Sequence, residues 1–189
     1  MKYTLVLDTE TTGLSYKGND RLIEIGAVLI QDKNITGFTY QQYFNPKVSS
    51  TDGAYKVHKL SEKFLSYYPE VVKGDPRIGI FFASLTMVDE IVIHSKSFDL
   101  GFLKKEYYIF KGLHPEEQDE VWKKIEAKTI CSRALGDKII QIKSLDSMLK
   151  YFALSNGNRD NHHGALEDAK LTAQVYLKLR EIENGQASK

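Results

Sequence analysis

Apolar and polar positions follow a period of two over the first quarter of this chain and a period near 3.6 over most of the rest. Residues 2–7 form a short apolar run that ends in two carboxylates, Asp8 and Glu10, and read as a buried strand. Residues 22–30 are a second run rich in branched side chains. Asp32-Lys33-Asn34 reads as a hairpin turn, and residues 36–44, with Phe38, Tyr40 and Tyr43, as a third strand. Residues 46–53 are polar and read as a loop. Ser61 is placed to cap a short helix carrying Phe64 and Leu65, which Pro69 stops. From Ile78 the helical period takes over: Ile78, Phe81, Phe82, Leu85 and Val88 make one stripe, and its aromatic rings are expected in the core.

Ile91-Val92-Ile93 is too short for anything but an interior strand. Ser97 is expected to cap the helix that follows, through Tyr107, with Phe98, Phe102 and Leu103 facing inward. Residues 111–124 are charged and read as a solvated excursion anchored by Trp122. Residues 128–135 and 145–154 are the next elements, the second a helix, and residues 155–161 are a polar loop. A last helix runs from Gly164 to about Glu183, with Leu166, Ala169, Ala173 and Tyr176 down one side. Strands in a meander followed by alternating strands and helices predict one α/β domain, residues 1–182, built on a mixed sheet flanked by helices. Residues 183–189 are expected to fray.

Charge and cysteine content narrow the chemistry. Lys and Arg number 26 against 25 Asp and Glu, a net charge of +1, so any grip on a polyanion must be local or must use metal ions. The single cysteine, Cys131, excludes an internal disulfide and a multi-cysteine zinc site, and is expected as a small buried residue. No apolar run approaches the roughly 20 residues that span a bilayer. The expectation is a soluble cytoplasmic protein without a membrane partner.

Asp8 and Glu10 share one face of their strand, where two like charges repel and a divalent cation is the usual remedy. Taken alone, this pair also fits an acidic strand end running into a solvated turn. Thr11, Thr12 and Gly13 then offer backbone N–H groups and hydroxyls at close range, suited to a phosphate or a ribose. Three more groups stand out: Asp99 just after the fourth strand, and His163 and Asp168 at the start of the last helix. On one regular helix the last two would point about 140° apart. Asp168 is therefore expected to be fixed by the helix. His163 is expected at its entry, where the polar loop lets it swing over the site.

In order along the chain, residues 7–14 (Leu-Asp-Thr-Glu-Thr-Thr-Gly-Leu), His94 with Phe98-Asp99 and Phe102-Leu103, and residues 163–169 (His-Gly-Ala-Leu-Glu-Asp-Ala) resemble the three motifs of the DnaQ-like DEDDh 3′–5′ exonucleases. Within that family the likeness is greatest to the proofreading epsilon subunits of bacterial DNA polymerase III. Residues 23–28, Val57-His58 and residues 173–177 extend it over most of residues 3–179. The related DEDDy class would carry a tyrosine four residues before the last aspartate, where this chain has Gly164. The resemblance implies a ribonuclease H-like five-stranded sheet and two divalent metal ions. By it, Asp8, Glu10 and Asp168 would hold the first ion, Asp8 would bridge to the second, and Asp99 would act directly or through water. It makes His163 the general base, since His162 is one residue out of register. It also implies that the backbone of Thr11 and Thr12, Leu14 as a wedge between bases, His58 and Phe98 grip the terminal nucleotides, with His94 on the substrate side. Leu14 and Phe98 as plain core residues remain the other reading.

The residue chemistry agrees with that assignment. Carboxylate oxygens without a Cys or His cluster suit Mg²⁺ or Mn²⁺ better than zinc. Two such ions about 3.5 to 4 Å apart activate water and neutralise a pentacovalent phosphate. A histidine can accept the water's proton near neutral pH. Three features depart from the family pattern: Ser95, followed by Lys96, stands where the family commonly has Asn; residues 111–124 look unlike it; and the extension that tethers epsilon to the polymerase is not seen after Tyr176. The last weakens the expectation of a DNA polymerase catalytic subunit as partner. The function implied is a metal-dependent exonuclease that acts on a single-stranded or frayed 3′ DNA end and releases nucleoside 5′-monophosphates in replication proofreading or repair. The alternatives are an exoribonuclease of the same fold and an inactive nucleic-acid or protein-binding module. An inactive module would lack metal ligands, and all of them are present.

Overall fold

Strands form where branched and aromatic residues run, and helices cover both faces of the resulting sheet. The computed structural model describes residues 1–157 and 163–187. Strands β1 (Tyr3–Thr11), β2 (Leu22–Gln31) and β3 (Asn34–Tyr43) make the antiparallel meander. Strands β4 (Glu90–Ile93) and β5 (Thr129–Cys131) extend the sheet from β1 in parallel. The order across the sheet is β3-β2-β1-β4-β5, a mixed sheet as the pattern predicted, with the five strands that the resemblance implied. Both β1 and β4 are interior and covered on both faces, so Leu5, Val6, Leu7 and Ile91, Val92, Ile93 are all apolar instead of alternating.

Helices α1 (Asp52–His58) and α2 (Glu62–Leu65) follow the meander. Alternation along β1 sorts the remaining helices into two layers. Leu5 and Leu7 pack with Phe81, Leu103 and Trp122 under α3 (Pro76–Met87), α4 (Lys96–Lys111) and α5 (Glu120–Ala127). Val6 packs the other way, with Val28, Met148 and Val175, under α6 (Ser132–Ile140), α7 (Leu145–Tyr151) and α8 (Ala165–Ala187). By the same period of two, Asp8 and Glu10 leave β1 toward the α8 layer and Thr9 toward the α4 layer.

Local capping explains where the elements depart from expectation. The loop of residues 46–53 stops early, because the Thr51 hydroxyl accepts the Ala54 N–H at 3.2 Å and opens α1. Ser61 caps α2 as expected, accepting the Phe64 N–H. Ser97 does not cap α4: it lies inside the helix, and the N-cap is Ser95, whose side chain makes no capping bond. That helix continues to Lys111 and closes on Gly112 in the left-handed region, at φ 68°. Part of the supposed solvated stretch then folds as α5, with Asp119 Oδ1 accepting the Trp122 N–H at 2.7 Å and the Trp122 side chain buried. The element at residues 128–135 divides into β5 and the start of α6. Cys131, expected buried, is partly exposed, and its Sγ donates to the His94 carbonyl at 3.3 Å. The tail predicted to fray from residue 183 is instead helical to Ala187, because Glu183 is ion-paired to Lys138 and Arg180.

Candidate active site

The carboxyl ends of the parallel strands open into a cavity of about 170 Å³. Open α/β sheets bind ligands in this position. Asp8, Thr9 and Glu10 reach it from β1, His94 and Ser95 from the turn after β4, and Phe98 and Asp99 from the first turn of α4. His163 and Asp168 reach it from the entry of α8, and Leu145 from the start of α7. Side chains separated by as much as 160 residues thus meet, and they come from both helical layers.

Glu10, His163 and Asp168 each present a ligand atom within 4.8 Å of the other two. His163 Nδ1 lies 3.4 Å from Asp168 Oδ2, with the imidazole a third exposed and the carboxylate buried. This resolves the 140° conflict: His163 precedes the first residue of α8, so helical geometry does not bind it. Its backbone N–H donates to the Val57 carbonyl of α1 at 3.0 Å, which ties the entry of α8 to α1. Residues 158–162, including His162 and most of the loop expected to swing, lie outside the described residues. Asp99 is 2 % exposed. Thr9, on the opposite face of β1 from Asp8, donates its hydroxyl to Asp99 Oδ1 at 2.6 Å. Burial, with the Asp168 charge as a smaller contribution, pushes the Asp99 carboxyl well above the usual carboxylate range.

Two residues of β2 set where α8 begins. Glu24 is buried in the apolar run of its strand, and its Oε2 accepts the Ala165 N–H at 3.2 Å, at the open amino end of the helix. Its Oε1 accepts from Gln41 Nε2 at 2.8 Å. Desolvation still raises the Glu24 carboxyl above its ordinary value. Two residues along, Gly26 leaves room for the helix: a Cβ there would stand 2.0 Å from Leu166 N. Sequence reasoning assigned neither residue a role. The available signal for Glu24 was a lone carboxylate among Leu22, Ile23 and Ile25, since a charged side chain in a buried run demands a partner. Thr9 was missed in the same way, and strand alternation toward the α4 layer would have found it.

Of the substrate-side residues expected from the motifs, the cavity gathers His94 and Phe98; Thr11, Thr12, Leu14 and His58 lie outside its lining. His94 Nδ1 sits 3.0 Å from the Ser132 hydroxyl. Leu14 is 84 % exposed, which excludes it from the core. The Thr11 hydroxyl donates to the Gly13 carbonyl at 2.7 Å. Thr12 is fully buried, its N–H donates to the Arg21 carbonyl at 2.9 Å, and its carbonyl accepts from Thr51 N at 2.7 Å. His58 is 1 % exposed and its Nδ1 accepts the Leu60 N–H at 2.9 Å. Its Nε2 is buried without a hydrogen-bond partner.

Four carboxylates line the cavity, and no lysine or arginine does among the described residues. Such a concentration of negative charge is stable only with a cation or with protons to offset it. The donors are mainly oxygen atoms, with the imidazoles of His94 and His163 beside them, which fits a hard divalent ion. Asp8, Glu10, Asp99 and Asp168 could hold it, leaving an imidazole for proton transfer.

Comparison with known proteins places these residues in context. A family model described as Exonuclease matches residues 5–176. The DNA polymerase III epsilon subunit of Buchnera aphidicola is 34 % identical over 186 residues, and that of Escherichia coli is 32 % identical over 182. Each alignment covers 93 % of this chain, with 72 % of the Buchnera protein and 70 % of the E. coli protein. Among solved structures, the nuclease domain of 3′hExo, a DEDDh family member bound to rAMP, superposes with a TM-score of 0.73 at 17 % identity, covering 95 % of this chain and 92 % of that one. Exonuclease X in complex with 5′-overhanging duplex DNA gives 0.64 at 20 % identity, covering 94 % and 91 %.

Proposed function

This chain belongs to the exonuclease family and is a 3′–5′ exonuclease, and from that premise we propose that it hydrolyses DNA from a single-stranded or frayed 3′ end to nucleoside 5′-monophosphates. Its chemistry depends on divalent metal ions, which we assign as two, Mg²⁺ or Mn²⁺. The observation that carries this reading is the meeting of Asp8, Glu10, Asp99, Asp168 and His163 on one cavity. When bound, the ions supply a polarised water and offset charge on the scissile phosphate. Asp8, Glu10 and Asp168 would hold them, with Asp99 joining directly or through water. His163 acts as the base. Its Nδ1 faces the Asp168 carboxylate, which keeps a proton on that nitrogen and leaves Nε2 to take one from the attacking water. The new P–O bond forms as the P–O3′ bond breaks, and the water oxygen leaves on the mononucleotide. Phe98 in the cavity wall and the exposed Leu14 supply apolar surface for the terminal bases.

The epsilon relatives support a place in replication proofreading, in the cytoplasm and beside a DNA polymerase catalytic subunit. No helix among the described residues is long and apolar enough to cross a membrane. The test uses 5′-labelled single-stranded DNA and RNA of one sequence, in Mg²⁺, with parent and Asp8→Ala protein. The parent should shorten DNA one nucleotide at a time, and the variant should be slower by at least about 100-fold. Equal rates for the two proteins would remove Asp8 from the mechanism, and faster loss of the RNA would reassign the substrate.

A further inference from the structure

Two side chains at the start of α6 are turned away from their own helix and onto the turn after β4. The N-cap, Cys131, makes no side-chain capping bond, and its Sγ donates instead to the His94 carbonyl at 3.3 Å. Ser132, the first residue of the helix, is fully buried, and its hydroxyl lies 3.0 Å from His94 Nδ1. Polar side chains at a helix start commonly accept from one of its open N–H groups. Here both serve one histidine. From the α4 side, Lys96 fixes the same turn by donating to the carbonyls of Glu126 and Thr129 at 3.0 and 2.6 Å. We propose that Ser132 is a positioning residue for the nuclease reaction: it holds His94 with the ring proton on Nε2, and this N–H grips a phosphate oxygen of the terminal nucleotide. The proposal rests on the exonuclease reading.

The direction of the Ser132 bond decides the tautomer. Among the described residues, His94 Nδ1 is the one hydrogen-bond partner of that hydroxyl. A hydroxyl has one hydrogen and two lone pairs, and in a buried place the hydrogen is what must find a partner. Ser132 therefore donates, Nδ1 accepts, and the ring proton sits on Nε2. His94 lines the cavity and Ser132 does not, so a ring with Nδ1 on Ser132 turns its Nε2 edge to the cavity. The cavity is short of such donors. Its described lining has no lysine or arginine, and Thr9 gives its hydroxyl hydrogen to Asp99 at 2.6 Å. His163, as the base, has to keep Nε2 bare, and the Asp168 carboxylate 3.4 Å from its Nδ1 draws the proton to that side. That leaves Ser95, whose side chain makes no capping bond, and His94, whose ring and carbonyl are both held. The two imidazoles thus carry opposite tautomers: a hydroxyl that must donate faces one Nδ1, and a carboxylate that accepts faces the other. A neutral N–H at this place meets the phosphate without adding a positive charge that would compete with the metal ions for the carboxylates.

The first arm of the test is a long-range ¹H–¹⁵N spectrum of the histidine-labelled, metal-free protein above neutral pH, which separates protonated from bare ring nitrogens; His94→Gln assigns the resonances. The parent should show His94 with Nδ1 bare and Nε2 protonated. Ser132→Ala should shift both signals toward a mixture of tautomers, and Ser132→Thr, which keeps the hydroxyl, should restore them. The second arm measures the binding of thymidine 5′-monophosphate and of thymidine in Mg²⁺ by calorimetry. His94→Ala should weaken the monophosphate about tenfold and thymidine hardly at all, and Ser132→Ala should weaken the monophosphate about threefold. In a His94→Gln background the amide donates from the place of Nε2 without help from Ser132, so adding Ser132→Ala should cost nothing further. A protonated Nδ1 in the parent overturns the tautomer. Equal losses on thymidine and its monophosphate, or additive losses in the double variant, make Ser132 a general support for the cavity and overturn the phosphate contact. A parent that releases no mononucleotide from DNA or RNA in Mg²⁺ sinks the exonuclease reading and the phosphate contact with it, whereas the spectra, recorded without metal or substrate, judge the tautomer separately.

Discussion

One methyl group added at Gly26 tests whether β2 sets the position of the α8 carboxylate. The Cβ of an alanine there would stand 2.0 Å from Leu166 N, 2.2 Å from Ala165 C and 2.3 Å from Leu166 Cα. All three are backbone atoms, so no side chain can rotate away. Ordinary contact begins at 3.4 Å, and the first turn of α8 must therefore lift by roughly 1.4 Å. A lift of that size breaks the 3.2 Å bond from Ala165 N to Glu24 and carries Asp168 off the cavity wall. Misplacing a positioned group by about 1 Å costs on the order of 100-fold in rate. Overpacking of this kind costs about 1–3 kcal/mol, a fall in Tm of roughly 2–12 °C for a chain of this length. Single-turnover hydrolysis of a 5′-labelled oligonucleotide at saturating Mg²⁺, run beside scanning calorimetry, reads both quantities on Gly26→Ala. We expect a folded protein at 25 °C with a rate lower by about two orders of magnitude. A parental rate, with or without a lower Tm, would show that α8 can lift without moving Asp168, and would refute the reasoning.

Three further predictions concern charge and burial. Burial pushes the His58 imidazole down to about 4, whereas the unfolded chain titrates it near 6.5. The unfolded state therefore binds more protons between these values, and the protein should lose roughly 3 kcal/mol as pH falls through that window. His58→Asn keeps an acceptor for the Leu60 N–H and does not titrate, so its urea midpoint should fall less steeply from pH 6.5 to 4; parallel curves would contradict this. Thr9→Val removes the hydroxyl that stabilises ionised Asp99, raising that carboxyl further. Mg²⁺ affinity by calorimetry should then weaken about fivefold at pH 7 and recover by pH 8.5, and an equal loss at both values would rule the linkage out. Glu106→Ala leaves the largely buried Arg21 guanidinium with the long 4.0 Å ion pair to Glu70, and the urea-derived stability should drop by about 3 kcal/mol, a loss under 1 kcal/mol being the contrary result.

The residues that announced themselves in the sequence are those whose role depends on a local period. Asp8 and Glu10 follow an apolar run, and strand alternation alone puts them on one face. Ile91-Val92-Ile93 could only be an interior strand, and its position places the turn that carries His94, and the first turn of α4 with Asp99, beside β1. Trp122 had to be an anchor in a charged stretch, and it is buried. The boundaries were less legible. Ser97 reads as the cap, yet α4 opens two residues earlier, at Ser95, directly after the end of β4 at Ile93; the charged residues after Arg180 look like a frayed end until Lys138 is known to face Glu183.

What stayed hidden was how the pieces are held together. Besides Gln41 on the next strand, Glu24 has a partner 141 residues away, and nothing in its own strand names the amino end of a helix as that partner. Gly26 has the same difficulty, because a glycine in a strand signals a close approach without saying what approaches. His163 shows how the two kinds of information combine. Its offset from Asp168 rules out a shared helical face, so a regular helix running through both would have separated the two side chains. The fold starts α8 two residues later, at Ala165, with Glu24 accepting the first N–H and the Val57 carbonyl holding His163. The histidine is thereby kept outside the helix yet within 3.4 Å of the carboxylate inside it. The helix start thus sets the geometry of the candidate site: β2 and α1, none of whose residues line the cavity, decide whether His163 and the Asp168 carboxylate meet there.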